Sequence, residues 1–380
     1  MAKVTIKPDV LQWALVRSGD SAALEQKFPK LSDWLAGRVR PSLKQVEKFA
    51  RAARVPVGFL FLNAPPEEHL PIADLRTFEG HGVQQPSPDL LDTIYLCQRR
   101  QAWYREYAEE TGEEPREFIR SLTLRIPPEK AAAQIGKVLS FTVADRKACA
   151  TWSDALRLFV EKAENSGVLV MVSGVVGSNN TRKLDPREFR GFALADQLAP
   201  LVFINGADTK AAQMFTLAHE LAHLWLGESA VSNISLTAST DQNIEVWCNR
   251  VAAELLVPLA DLNRELARAR QILSELPELA RSFKVSTLVI LRRLQDAGRI
   301  NQQQFQASYN AEVARLVGLR RSGGGDFYLT QSARISRRFA RAVVTSTLEG
   351  QTLYRDAFQM LGIKREHTFQ EFGAMLEVSG

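Results

Sequence analysis

Thr216-Leu-Ala-His219-Glu220-Leu-Ala-His223-Leu-Trp-Leu-Gly227 is the stretch that organises the chain. Residues four apart lie on one face of a helix, so His219 and His223 can present two imidazoles to one cation. Glu220 projects beside the pair and can reach a metal-bound water without becoming a ligand. That is the arrangement of a metal-dependent hydrolase with a carboxylate general base. Helix formers (Ala211, Ala212, Met214, Leu217, Leu221, Leu224, Leu226) surround the motif, and Gly227 is a natural stop. The competing reading is a core helix that carries two of the chain's five histidines for packing alone.

A two-histidine catalytic site needs a third protein ligand and an open position. The next helical pattern, Ile244 to Leu256, ends at Val257-Pro258 and offers Glu245 as that ligand. Asn249 lies one turn further on the same face and can hydrogen-bond a histidine of the first helix. Glu254, roughly two and a half turns from Glu245, falls on another face and is the runner-up. Glu228 and Asp241 lie in a loop and rank lower, while Cys248, between Trp247 and Val251, reads as a small buried hydrophobe. His69, His81 and His367 are remote, so no oxyanion donor is named.

Upstream, the apolar period shortens to that of strands at Val168–Val172, Phe189–Leu194 and Leu201–Ile204. A small sheet packed on the histidine helix offers an extended peptide an edge, although ordinary core is the other reading of each strand. Helices are expected at 89–111, 129–139 and 151–166, the last stopping at Gly167. In the first of these, Arg99, Arg100 and Arg105 read as a solvated face. After Phe61-Leu-Asn-Ala-Pro-Pro66, the segment to Pro88 is Pro- and Gly-rich and reads as a linker or extended arm, with Arg76-Thr-Phe78 as a candidate contact segment.

The chain has 380 residues, 45% hydrophobic and 24% charged, with net charge +5 and three widely spaced cysteines. Length favours two or three units. The cysteines argue against a disulfide framework or a cysteine zinc cage. No apolar run approaches a membrane span, and Met1–Lys7 carries no secretory pattern, so a cytoplasmic protein without membrane partners is expected. The basic balance is compatible with nucleic acid but too mild to argue for it alone.

At the N-terminus, Ala22-Ala-Leu-Glu-Gln-Lys-Phe28 and Lys30-Leu-Ser-Asp-Trp-Leu-Ala-Gly37 resemble the helix-turn-helix of Xre-type repressors. Pro29 shortens the turn and the start of the recognition helix. Lys27, Lys30, Arg38 and Arg40 are the candidate phosphate contacts, and a solvated bundle face that binds protein is the equal reading. Residues from about Gly167 to Pro258 resemble the ImmA/IrrE metallopeptidases, through Phe189-Arg-Gly-Phe192, Ala199–Asn205, Phe215–Leu224 and Glu245 through Asn249 to Pro258. The resemblance implies a gluzincin-like Zn2+ site with His219, His223 and Glu245 as ligands and Glu220 as base. It also implies a regulatory endopeptidase acting on an Xre-type repressor.

Pro277 to Arg299 reads as two helices joined by Lys284-Val-Ser286 with Ser286 as an N-cap, a support for the sheet in preference to a nucleic-acid-reading turn, followed by a polar helix at 301–317. Gly323-Gly-Gly325 reads as a flexible joint and lacks the Lys-Ser/Thr of a phosphate loop. The tail at 330–376 resembles C-terminal segments of longer family members, some described as antitoxins beside a PIN-like toxin. It supports the alternative of a non-enzymatic DNA-binding regulator or antitoxin. The expected fold is α+β and mostly helical. It comprises an Xre-like domain (1–62), a linker and helical region (63–150), a metallopeptidase domain with a small sheet (151–300) and a helical C-terminal domain (301–380).

Overall fold

A computed structural model describes residues 3–68, 70–75, 86–232, 243–267, 272–317 and 327–378. Arg76-Thr-Phe78, His69, His81, Asp241 and Gly323–Gly325 lie outside them. The described residues are mostly helical with one five-stranded sheet, an α+β composition. It divides into two compact units, Met1–Pro71 with Val83–Ile94, and Ile72–Gly82 with Tyr95–Gly380.

The smaller unit contains helices Pro8–Arg17, Ser21–Lys27, Leu31–Leu35 and Leu43–Ala53. Asp20 accepts the Ala23 N–H at 3.0 Å, and Ser42 forms a reciprocal capping box with Gln45, so both helix starts are satisfied locally. Val10, Leu11, Trp34, Val46 and Phe49 are buried at its centre, with the rings of Phe28 and Phe49 edge to face at 5.5 Å. Pro29 follows Phe28 directly, and the third helix is only five residues long.

The larger unit is built on strands β1 (Ala73–Asp74), β2 (Leu169–Ser173), β3 (Gly191–Leu194), β4 (Leu201–Asn205) and β5 (Ala230–Ser232), in the order β1-β5-β3-β4-β2. β2 runs parallel to β4, β3 runs antiparallel to both β4 and β5, and β1 runs parallel to β5. β3, β4 and β5 are buried along their whole length, which is why β3 and β4 read as apolar runs rather than alternating ones. The three expected strands are present. β5 and β1 are too short to give a period-2 signal, and β1 lies in the segment read as a linker.

The histidine helix, Lys210–Leu226, packs on β3 and β4 and against helices Trp152–Asn165 and Asn243–Leu256. Every residue from Gln213 to Trp225 is buried, so this helix is covered on all sides and lies at the centre of its unit. Its ends are closed by neighbours. Thr209 accepts the Ala212 N–H at 3.2 Å, Gly227 takes the left-handed conformation (φ 77°), and the Leu224 and Trp225 carbonyls accept the N–H groups of Arg120 and Leu122. The second helix, Asn243–Leu256, is closed by Arg146. This fully buried guanidinium donates to the Leu255 and Leu256 carbonyls and, at 2.7 Å, to the Phe283 carbonyl ending helix Leu276–Phe283. One cation thus sits at the negative ends of two helices.

Arg100 corrects the reading of a solvated face on helix Pro88–Glu110. It is 5% exposed and donates twice to the Met360 carbonyl, at 2.9 and 3.2 Å, whereas Arg99 is exposed and Arg105 pairs with Asp196 at 2.9 Å. The sequence could not show this, because the partner carbonyl belongs to the C-terminal helix Tyr354–Leu361, which is followed by helix Glu366–Met375. Glu164 holds the same region. One of its oxygens accepts the Ser336 hydroxyl and the Arg337 N–H (2.8 Å) at the start of helix Arg337–Leu348.

Burial pushes the Glu164 carboxyl up to about 7 against the lowering effect of those hydrogen bonds. Its folded-state value therefore exceeds the ordinary carboxyl value, so its stabilising contribution is complete below pH 4.5 and is lost as pH rises through about 7. Urea denaturation is expected to find the metal-free protein less stable at pH 8 than at pH 5.5 by roughly 1–3 kcal/mol from this group. Glu164→Gln is expected to remove that component of the difference.

Candidate metal centre

Two helices bring the predicted residues together from separate positions in the chain. Within the buried face of the histidine helix, His223 Nε2 lies 3.0 Å from His219 Nε2. From the second helix, the Glu245 carboxylate closes the triangle, with Oε1 3.0 Å from His223 Nε2 and Oε2 3.4 Å from His219 Nε2. Asn249, one turn beyond Glu245, places Oδ1 3.0 Å from His219 Nδ1. That acceptor holds the His219 proton on Nδ1 and leaves a lone pair on Nε2, facing the other two groups. The second helix is anchored by the Trp247 indole N–H, which donates to the Ile126 carbonyl at 2.8 Å.

This donor set fits a divalent metal. His219, His223 and Glu245 offer one atom each, all within 4.8 Å of one another, and all three residues are buried. Two ring nitrogens and a carboxylate in this separation match the ligand chemistry of zinc. Burial alone would raise the Glu245 carboxyl, but the two imidazoles outweigh it and hold it at about 2, so Glu245 is an anion at neutral pH. Burial lowers His219 while Glu245 and Glu220 raise it, and the net direction is upward.

Glu220 is fully buried beside the triangle, and its two oxygens have different environments. Oε1 accepts the hydroxyl of Ser232 on β5, while Oε2 has no hydrogen-bond partner among the described residues. Burial raises its carboxyl above the usual range, in opposition to the two histidines and Ser232. A carboxylate with one oxygen held and the other open is suited to taking a proton from water. Gly191, opposite Ser232 in the β3–β5 ladder, makes room for it. A Cβ there would stand 2.6 Å from Thr216 Cγ2, 2.9 Å from the Phe203 carbonyl oxygen and 3.0 Å from Glu220 Oε1.

The remaining candidates lie elsewhere. The Glu254 carboxylate is engaged by the Arg293 guanidinium and the Leu259 N–H (3.4 Å), which removes the runner-up ligand. Glu228 is exposed after the helix end. Burial raises the Cys248 thiol well above its ordinary value, which keeps it protonated as a small hydrophobe. His367 is exposed and lies 3.2 Å from Glu371. Ser232 and the role of Gly191 were missed by sequence reasoning; the only available signal was the glycine within Phe189-Arg-Gly-Phe192.

In the smaller unit Lys27 and Lys30 are exposed, and Arg38 pairs with Asp33 at 2.8 Å. Arg40 instead lines a surface cavity of about 510 Å³ with Lys3, Ser42, Lys44, Gln45 and Lys48. No carboxylate lines this cavity among the described residues.

A helix bearing H-E-x-x-H beneath a small mixed sheet, with a second helix bringing a carboxylate to the pair, has the composition of a metallopeptidase-type domain. Residues 163–295 match the peptidase M78 family, described as the IrrE N-terminal-like domain, which supports a metallopeptidase of the ImmA/IrrE family. Residues 335–375 match a domain of unknown function, DUF8813, and no curated protein matches the chain.

Gly191→Ala is expected to destabilise the protein by about 1–3 kcal/mol, since the added methyl meets backbone and cannot be relieved by a rotamer change. Thermal or chemical denaturation would check this; an unchanged transition would show that β3 yields at this point.

Proposed function

We propose that the chain is a zinc-dependent endopeptidase of a regulatory system, acting on a protein partner such as an Xre-type repressor or a toxin. The observation that carries this reading is the convergence of His219 Nε2, His223 Nε2 and the Glu245 carboxylate beside the open Glu220 Oε2. Zinc, held by those three residues, would supply Lewis-acid polarisation of the scissile carbonyl and acidify the attacking water. Glu220 takes the proton of that water at Oε2 and returns it to the leaving amine, while Ser232 holds Oε1. Asn249 keeps His219 in the tautomer that directs its lone pair inward. The surrounding apolar core excludes bulk water and preserves the strength of these interactions.

The test is incubation of the zinc-loaded protein with candidate repressors or neighbouring toxins. Glu220→Gln is expected to retain zinc and lose turnover by about 10²–10⁴-fold. Asn249→Ala is expected to weaken zinc binding by about 10–100-fold. Cleavage that survives Glu220→Gln would overturn this peptidase site, and neutralisation of a partner that is unchanged by it and involves no cleavage would favour the non-enzymatic regulator or antitoxin instead.

The basic cavity favours a second activity, contact of the smaller unit with duplex DNA. Four cations with no carboxylate among the described lining residues suit backbone phosphates, and the short third helix argues for positioning contacts over base reading. For the Lys44→Glu/Lys48→Glu variant, the dependence of DNA affinity on salt is expected to flatten by about two in log–log slope. An unchanged slope would exclude this face.

A further inference from the structure

The sheet has two edges, and they differ in their relation to Glu220. β2 lies beyond β4, away from the site, whereas β5 carries Ser232, whose hydroxyl holds the carboxylate. The outer side of β5 is therefore the edge along which an extended backbone would pass beside Glu220. That side is occupied by the same chain: Ala73 pairs with Ala230, Asp74 pairs with Val231, and the Leu75 N–H donates to the Val231 carbonyl at 3.0 Å. Because the pairing is parallel, the segment advances along β5 toward Ser232. The strand is two residues long; Ala73 is exposed, and Ile72, Asp74 and Leu75 are half-buried.

We propose that the outer edge of β5 is the peptide-docking edge of the site, and that residues 73–75 are its resident occupant, which a substrate must displace. This rests on the peptidase reading above. Recognition at such an edge comes from main-chain hydrogen bonds, so the ligand class is an extended, unstructured peptide segment. Its length separates β1 from a structural strand. The ladder it forms is small, and its side chains contribute little apolar burial, so an incoming strand that makes more backbone bonds replaces it.

The test uses the full chain. Ala73 and Ala230 are opposite one another in neighbouring strands, within the reach of a disulfide, so Ala73→Cys/Ala230→Cys can be locked by oxidation and released by reductant. The zinc-loaded, oxidised variant is expected to cut a library of unstructured ten-residue peptides at least ten-fold more slowly than its reduced form. The Ala73→Cys single variant is expected to show no such redox dependence. In a Glu220→Gln background, a labelled synthetic peptide of residues 70–75 is expected to bind the Leu75→Pro variant, which lacks the N–H bonded to Val231. The same peptide is expected to bind the reduced double-cysteine form at least ten-fold more tightly than the oxidised form. Equal binding to locked and released forms, or binding to neither, overturns the docking edge. Peptide binding that follows the lock, without hydrolysis by any zinc-loaded form, leaves the edge standing and defeats the peptidase reading alone.

Discussion

The larger unit depends on holding two imidazoles and a carboxylate within 3.0–3.4 Å of one another in an interior closed to bulk water. Such groups are costly to desolvate unless each is paired or shares a cation, so the surrounding structure must leave them little freedom. Two helices provide them, and the ends of those helices are fixed by other parts of the chain. The histidine helix ends against the backbone of residues 120–122, and the second helix ends against Arg146 and the Arg293 guanidinium, which donates to the Val257 carbonyl at 2.9 Å. Arg293 also engages Glu254, so a carboxylate that resembles a ligand in sequence serves the helix terminus instead.

The same dependence explains the sheet. β3 and β5 supply Gly191 and Ser232, one by omitting a side chain and the other by donating a hydroxyl, and together they divide the Glu220 carboxylate into a held oxygen and an open one. Polar contacts also join the C-terminal helices to this unit. Arg338 donates to the Tyr104 hydroxyl at 2.7 Å and to Glu113 at 2.6 Å, alongside the Arg100 and Glu164 contacts. Burial pushes the Tyr104 phenol up, so it remains a neutral donor and acceptor throughout the physiological range. The segment matching a domain of unknown function is thus joined by partly buried hydrogen bonds to helix Pro88–Glu110, to Glu113 and to Glu164 at the start of the metallopeptidase-type region.

Sequence alone determined the two site helices and the faces on which His219, His223, Glu245 and Asn249 lie, because the 3.6-residue period and terminal residues such as Gly227 and Ser286 act over a turn or two. It also determined the three longer strands, whose apolar runs are dense enough to be read locally. Tertiary structure decided the matters in which the partner is distant in the chain. These are the burial of Arg100 against Met360, the engagement of Glu254 by Arg293, the crowding at Gly191, the Ser232 hydroxyl on Glu220, and the addition of residues 73–75 to the sheet. A one-turn spacing is written in neighbouring residues, whereas a strand of two or three residues has no period to display, and a hydroxyl or guanidinium shows its role only when the fold brings its acceptor within about 3 Å.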